Sequence, residues 1–483
     1  MQNKININKT TLFLIGIFLV YFISCFYVGS FHEPWADEAQ AWLVARDCSI
    51  KDLIFNTLRY EGHPILWYLI LKFVQIFHFP YDNINLISLF FGSLGVYLFL
   101  FKTKTPLFLK ATIPFCYYIF YQYSVVSRNH CLIFPILMLI SMVYPQKEKS
   151  IIKYSLLLIL LASVSFHGYF ISFILFIDFV ISLFKKINFK QSVPVFIVLL
   201  NYILTFLYVN KPADGSFPAS FGNIQDLFFM VKDRFSNLFF NVQFAVEPLK
   251  ILLMSFVILF LLRVINTICI NKSQKILLYV LNFSFLGLLS IFYCNDWHLG
   301  YEFLVIVFSI VVMCNTNNIQ KIDVKSNKSF YFFIIIVLIS QLIWTVKSSI
   351  FEKRYLYSAS AEVVKYLKEN KFENNKIVGM NFHVIAVNPY FEKNIFSNTP
   401  YAYWYWRKDT LKDINFYENP IILFDKFGKS EIFENPDKYG IKEYINKNYD
   451  IIVFKANLIS KGRFKEDLTL TLCVPKNKAI VDE

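Results

Sequence analysis

Residues 31–68 read FHEPWADEAQAWLVARDCSIKDLIFNTLRYEGHPILWY, and the rest of the chain is best understood from this stretch. It follows the first long apolar run, Thr10 to about Ser30. An adjacent acidic pair, Asp37–Glu38, stands just beyond that run, and a Glu61-Gly62-His63-Pro64 turn comes further on. Gly62 permits a tight turn and Pro64 opens a new helix. Polar chemistry concentrated beside an apolar run points to the depth of a lipid headgroup as the functional level of the molecule.

Composition sets the class. The chain of 483 residues is 56% hydrophobic and only 17% charged, with a mean hydropathy of +0.47. Soluble domains carry about 45–50% apolar and about 25% charged residues, so this is a polytopic α-helical membrane protein whose surroundings are a lipid bilayer. The 55 Phe and 30 Tyr suit both a membrane core and its interfaces. A net charge of +14 would suggest nucleic acid in a soluble chain. Here much of the excess Lys and Arg lies in short loops, where it sets orientation, and no nucleic-acid-binding motif accompanies it, so no nucleic-acid partner is expected. Eight cysteines form no CxxC pair, and most lie in apolar runs, which argues against a zinc site or a disulfide framework. A Cys48–Cys473 bridge is the one pairing left open.

Apolar runs at roughly 10–30, 84–101, 107–122, 130–144, 153–166, 169–184, 192–209, 250–263, 276–293, 300–315 and 329–348 predict about 11–12 membrane helices. The stretch Tyr154–Phe184 is too long for one span and reads as two helices joined at His167–Gly168. The first run is longer than a signal-peptide core and lacks a small-residue cleavage site, so it reads as a retained anchor entering from the cytoplasm. Basic clusters at Lys102/Lys104/Lys110, Lys147/Lys149/Lys153, Lys185/Lys186/Lys190, Lys272/Lys275 and Lys321/Lys325/Lys328 belong inside by the positive-inside rule. The external loops 31–64 and 210–248, Arg128–His130, His167, Asp296–His298 and everything beyond Ser348 then face outward. This closes if Ile65–Phe79 lies at the outer interface; the rival is that it crosses and Lys102–Lys104 is external. His32, His63, His130, His167, His298 and His383 all fall on the outer face, joined by His78 if its segment is interfacial.

Two units are expected: 1–350 in the membrane and 351–483 as a small extracytoplasmic α/β domain. In the latter, Ala359–Lys371 reads as a helix, and Lys376–Met380, Pro420–Phe424, Tyr449–Phe454 and Leu468–Val474 as strands. Its run Tyr401–Trp406 suits sugar stacking, bilayer contact or a core equally. The loop 210–248 opens on Pro212, Asp214, Gly215 and Pro218. Ile224, Leu227, Phe228, Val231, Phe235, Leu238 and Phe239 then predict an amphipathic surface helix, either a gate or a connector.

The candidate chemistry is simple. A carboxylate such as Asp37 at headgroup depth can take a proton from an acceptor, though Asp37 reads equally as the cap of a helix running through Arg46. Glu61 and His63 could hold a divalent metal, a phosphate or an acceptor, or be an ordinary turn. Arg128 can stabilise a phosphate, or snorkel to a headgroup. His167, His298 and Arg59 are further candidates. Asp178, acidic within an apolar run, reads as paired or near the inner interface.

Trp35-Ala-Asp-Glu-Ala-Gln-Ala-Trp42 through Arg46-Asp47, with Glu61-Gly-His-Pro-Ile-Leu-Trp-Tyr68, resembles the first external loop of the GT-C superfamily. The likeness is to its bacterial family-39-like members, of the protein O-mannosyltransferase and aminoarabinose transferase type. It is clear over about 40 residues and extends loosely, by hydropathy, to about 350. The resemblance implies an inverting transferase at the plasma membrane, moving a sugar from a polyprenyl-phosphate donor to a glycan, lipid or protein acceptor on the outer face. Asp37 matches the catalytic acid and Glu38 its companion. Ser127-Arg128 matches the Ser-Arg motif, placing Arg128, with His298 or His63, on the donor phosphate. His298–Gly300 is similar to the late external His-Gly, with Leu299 intervening, and His63-Pro64 stands where many members have Pro-Pro. A divalent metal occurs in some members only. A flippase for lipid-linked saccharides, a non-catalytic subunit presenting the C-terminal unit, and a ligase using diphosphate-linked glycans are the rivals.

Overall fold

The computed structural model describes residues 8–184, 189–209, 226–242, 245–292, 294–319, 327–405, 414–434 and 441–476. Among them, nine helices are long and apolar enough to cross a membrane: Lys9–Gly29, Tyr81–Lys102, Asn129–Gln146, Phe166–Leu183, Gln191–Val209, Glu247–Ile268, Lys272–Ile291, Asp296–Asn317 and Lys328–Arg354. The protein is therefore a multi-pass helical membrane protein. The turns around Lys185, Lys186, Lys321 and Lys325, the side chain of Lys190, the loop start at Pro212, Asp214, Gly215, Pro218 and Ile224, and Trp406 lie outside the described residues.

Two expected spans differ. The run 153–166 yields a short helix, Ile151–Ala162. The run 107–122 is not one helix: it breaks into Leu107–Thr112, a 3-10 turn Ile113–Phe115 and a wide π-type turn Tyr118–Gln122. Pro114 withholds a backbone donor at the break. Irregular backbone survives at membrane depth only where protein covers it, and Tyr117, Tyr118, Tyr121 and Gln122 are all buried.

Hydrogen bonds show which helix ends meet. At one end Asn85 Nδ2 donates to Gly29 O (2.8 Å), Ser127 Oγ to Ile84 O (3.0 Å), Leu66 N to Ser163 O (3.2 Å) and Asn129 Nδ2 to Val164 O (2.9 Å). At the other, Asn315 joins Lys104 N (2.9 Å) to Ser141 O (3.1 Å), and Asn317 Nδ2 reaches Ile268 O (3.1 Å). Asp178 is paired there with Lys147 and Tyr144. The helix Leu66–Ile76 begins and ends at the first end. Its Lys72 Nζ donates to Ala45 O and Cys48 O, both at 2.8 Å, and Gln75 Nε2 to Trp42 O at 3.0 Å, so it lies along the helix Ala36–Asp47. The helix Leu227–Phe239 buries Phe235, Leu238 and Phe239 against the helices Glu247–Ile268, Lys272–Ile291 and Asp296–Asn317 and leaves Phe228 and Phe229 exposed.

Beyond Arg354 a helix, Ser360–Glu369, leads into a four-stranded sheet of order β1-β2-β6-β3. Its strands are β1 (Ile377–Met380), β2 (Ile421–Phe424), β3 (Tyr449–Phe454) and β6 (Leu470–Pro475), with β1 and β2 parallel and the other pairs antiparallel. These match the four expected strands. A hairpin, β4 (Asn457–Ser460) and β5 (Arg463–Asp467), was not foreseen. Alternation splits the sheet: Val378, Ile422, Phe424 and Cys473 enter a small separate core, while Ile377, Ile421, Leu423 and Leu472 join the main one. Cys473 thus lies inside the sheet, and both it and Cys48 are buried free thiols, so the conceivable bridge does not form.

Gly92 marks a close approach between the helix Asn85–Lys102 and the irregular segment, since a Cβ there would meet Ser124 Oγ at 2.0 Å and Tyr21 OH at 3.1 Å. Gly92→Ala should cost about 1–3 kcal/mol by overpacking. At Gly287, where nothing lies within 4 Å, the same change should be neutral or add up to about 1 kcal/mol of helix preference. Thermal midpoints in detergent test this; equal midpoints for the two variants would refute the close approach.

Candidate functional site

The first helix ends at Gly29, and the chain turns through Pro34 into the helix Ala36–Asp47. The residue that secures this helix start is Glu38, not Asp37: Glu38 Oε2 accepts from Trp35 N at 3.1 Å. The same fully buried carboxylate accepts from Ser127 N at 2.6 Å and meets His32 Nε2 at 3.1 Å. Glu38, expected as a catalytic companion, has its acceptor positions occupied by the protein itself. His32 bridges onward, Nδ1 to Glu352 Oε1 at 2.9 Å, and Tyr121 OH donates to the other Glu352 oxygen. Burial works against a charge on His32, but Glu38 and Glu352 outweigh it and carry its pKa up to about 10.

Asp37 points the other way and forms an ion pair with Arg128. The two side chains keep 22% and 14% of their surface exposed, so the pair is lodged in the protein yet reachable. Burial opposes the Arg128 charge, and Asp37 more than compensates, raising its pKa. Glu61 stands near both: its carboxylate accepts from Gln40 Nε2 at 2.7 Å and Tyr68 OH at 3.3 Å. Burial, only partly offset by these bonds, pushes Glu61 up to about 7, with the charge of Asp37 adding to the rise. His63 is pushed down to about 3 by burial, helped by Arg128 and His167, and among the described residues its buried Nδ1 has no hydrogen-bond partner. It is neutral at physiological pH.

Behind Arg128 lies a histidine–tyrosine stack. His167 lies over His298 and over Tyr301, each at 4.7 Å between ring centres, and His130 meets His298 edge-on at 6.0 Å. His130 Nδ1 bonds Tyr301 OH, and His298 Nδ1 accepts from Asn295 N at 3.0 Å. The structure therefore gathers Asp37, Arg128, Glu61, His63, His167 and His298 at one end of the bundle. Arg59, on the same turn as Glu61, makes no ion pair among the described residues, and its Nε is buried without a partner. Sequence reading missed Gln40 and Tyr301, and gave His32 and His130 no role. Only His130 carried a usable signal, its place two residues after Arg128. Among the described residues no three His, Cys, Asp or Glu side chains are grouped to hold a metal, so Glu61 and His63 lack a third ligand.

Two surfaces flank this cluster. Gln40 clamps Trp404 by its backbone, donating to Trp404 O and accepting from Trp404 N, both at 2.8 Å. Tyr405 thereby packs on Tyr60 (5.0 Å) and Tyr401 (5.2 Å) beside Glu61. On the membrane side, a groove of about 450 Å³ runs between the helices Leu66–Ile76 and Asn85–Lys102, lined almost wholly by carbon from Leu69, Ile70, Phe73, Val74, Phe79, Leu86, Ile87, Phe90 and Phe91. Comparison of the chain with protein-family models, curated proteins and solved structures finds no match.

The shifted groups make stability depend on pH. Glu33, which accepts from Ala361 N at 2.6 Å, is pushed by burial up to about 7, as is Glu61. Each of Glu33, Glu61 and His32 binds its proton more tightly folded than unfolded. Their stabilisation is full below the unfolded pKa, about 4.3 for Glu and about 6.5 for His, and is lost as pH rises through the folded value. Stability should thus fall from about pH 5 to 7 through the glutamates and again from about pH 7 to 10 through His32. His32→Gln should lower the thermal midpoint at pH 7, since breaking a buried pair costs about 3–5 kcal/mol, and should flatten the upper part of the profile. A wild-type midpoint that is level from pH 7 to 10 would contradict the His32 assignment.

Proposed function

We propose that the protein is an inverting membrane glycosyltransferase that moves a sugar from a polyprenyl phosphate to an acceptor hydroxyl or amine. The observation that carries this reading is the partly exposed Asp37–Arg128 pair at the end of the bundle where Glu61 and the histidines converge. A donor phosphate entering this end competes with Asp37 for Arg128. That leaves the Asp37 carboxylate available to the acceptor. The acceptor oxygen or nitrogen attacks the anomeric carbon, and the bond from that carbon to the phosphate oxygen breaks. Asp37 takes the acceptor proton as general base. Arg128 bears the charge that builds on the departing polyprenyl phosphate. His63, being neutral, contributes hydrogen bonding and no charge; His298 is held close behind.

The apolar groove beside Leu69 and Phe90 suits a polyprenyl chain, and the layer of Tyr60, Tyr401 and Tyr405 suits the faces of sugar rings. Lys102, Lys104, Lys147 and Lys149 belong to the end of the bundle opposite the site. On the positive-inside rule that end is cytoplasmic, and the site faces the outside of a bacterial-type plasma membrane.

The rival reading, a flippase for lipid-linked saccharides, has one observation on its side. Glu302 lies fully buried in the helix Asp296–Asn317, and among the described residues neither carboxyl oxygen has a hydrogen-bond partner. Acidic residues within spans serve function by default.

The deciding experiment offers purified protein a panel of polyprenyl-phosphate monosaccharides and measures sugar release or transfer. Asp37→Asn should lower turnover by about 10²–10⁴-fold in protein that is still folded at the assay temperature, and Arg128→Gln should also lower it strongly. Full activity in Asp37→Asn would remove the proposed base. Lipid flipping by wild type that fails in Glu302→Gln, with no turnover of any donor, would replace the transferase by the flippase.

A further inference from the structure

The long helix Lys328–Arg354 carries its own measure of the membrane. Phe332, Ile335, Ile339, Ile343, Val346 and Ile350 are all exposed and stand three or four residues apart, which puts them on one face. From Phe332 to Ile350 this stripe spans about 27 Å, close to the hydrocarbon thickness of about 30 Å. The next residues at that spacing are the exposed cations Lys353 and Arg354. Apolar surface gives way to charge within one turn, and that turn marks the boundary between acyl chains and headgroups. The first helix reaches the same boundary. Its exposed Ile23 and Phe26 are followed by Tyr27, whose OH accepts from Lys353 Nζ at 2.8 Å. Phe31 comes next, and Lys353 lies 5.7 Å from the centre of its ring.

The β4–β5 hairpin comes down to this level. Its turn, Lys461-Gly462, is in left-handed backbone (φ 49° and 69°), and Gly462 N donates to Ser348 Oγ at 2.8 Å. A Cβ on Gly462 would meet Lys347 Cβ at 2.4 Å, so the close approach requires glycine. The turn therefore passes Lys353 and reaches the depth of Ile350, the last apolar residue of the stripe. Backbone at that depth must find its hydrogen bonds within the protein, and Lys461 N donates to Tyr117 OH at 3.0 Å. Phe464, two residues after the turn, packs on Phe351 at 5.1 Å and on Tyr355 at 4.8 Å between ring centres. Lys347, Phe351 and Tyr355 follow at intervals of four, on the flank next to the apolar stripe. Phe464 remains 44% exposed there.

We propose that the β4–β5 hairpin is a bilayer-contact element. Phe464 enters the boundary between headgroups and acyl chains beside Tyr355. Tyr27 and Phe31 extend the same aromatic belt to the first helix, and Lys353 and Arg354 meet the lipid phosphates. Phospholipid is the occupant because this surface continues the apolar stripe that the bilayer covers. The residue types agree: amphipathic rings settle at headgroup depth, and long cations lay their stems on apolar surface while their heads reach phosphate. The sheet region is then seated on the membrane as well as on the bundle. This contact stands whether or not the chain is a transferase.

The test places p-benzoylphenylalanine, one position at a time, at Phe464, Tyr355, Ile350 or Tyr417 of the full chain in phosphatidylcholine nanodiscs. Ile350 is the reference within the stripe. Tyr417 is the exposed reference beside the separate small core of the sheet. After irradiation, intact mass should show the addition of one phosphatidylcholine at 464 and 355, as at 350, and no such addition at 417. Protein that takes up lipid at 350 but not at 464 would overturn the proposal, as would adducts at 417 as abundant as those at 464. In native membranes the 464 variant should again capture phospholipid. Capture of another protein in its place would assign this surface to a protein partner and refute the lipid contact.

Discussion

The buried carboxylate of Glu38 is the constraint from which the candidate site is built. It accepts from Trp35 N, from Ser127 N and from His32, and through His32 it is tied to Glu352 at the end of the last long helix. Successive helical residues point about 100° apart, from 3.6 residues per turn. With Glu38 held inward, its neighbour Asp37 turns aside. The same carboxylate holds Ser127, the residue before Arg128. One buried acid therefore sets both members of the Asp37–Arg128 pair, and breaking such a buried network costs about 3–5 kcal/mol.

Burial then gives each titratable group its character. His32 is held protonated by two carboxylates, His63 is held neutral, and Glu61 is brought close to neutral pH. Among the described residues, the cation paired with Asp37 is Arg128. The irregular segment 107–126 makes this possible. Its tyrosines fill the space between helices, and Tyr121 completes the Glu352 carboxylate.

The region after Arg354 is fastened to this end of the bundle at distinct points. Glu33 accepts from Ala361 N at the start of the helix Ser360–Glu369, Gln40 clamps Trp404, Arg46 Nη1 donates to Phe391 O at 2.8 Å, and the β4–β5 turn is inserted beside Tyr117. The helix Ala36–Asp47 therefore has the membrane helices on one side and the sheet region on the other, with Gln40 buried on the seam and Asp37 partly exposed beside it.

Much was legible in the amino-acid sequence alone. Apolar runs disclosed most of the spans, because a bilayer demands about 20 apolar residues in a row, and alternation disclosed the four sheet strands. Asp37, Glu61, His63, Arg128, His167 and His298 could be singled out, because polar residues beside spans are conspicuous. Their division of labour could not. Asp37 and Glu38 are chemically alike and adjacent, and only contacts made across 89 and 91 residues of chain distinguish the buried anchor from the residue facing Arg128. The break at 107–122 was hidden because hydropathy does not register backbone geometry, and the β4–β5 hairpin because its strands are short and charged. The sequence determined a polytopic helical bundle with its polar residues at one end. The tertiary structure decided which acid is buried and which faces the arginine, because that choice depends on donors brought from distant segments.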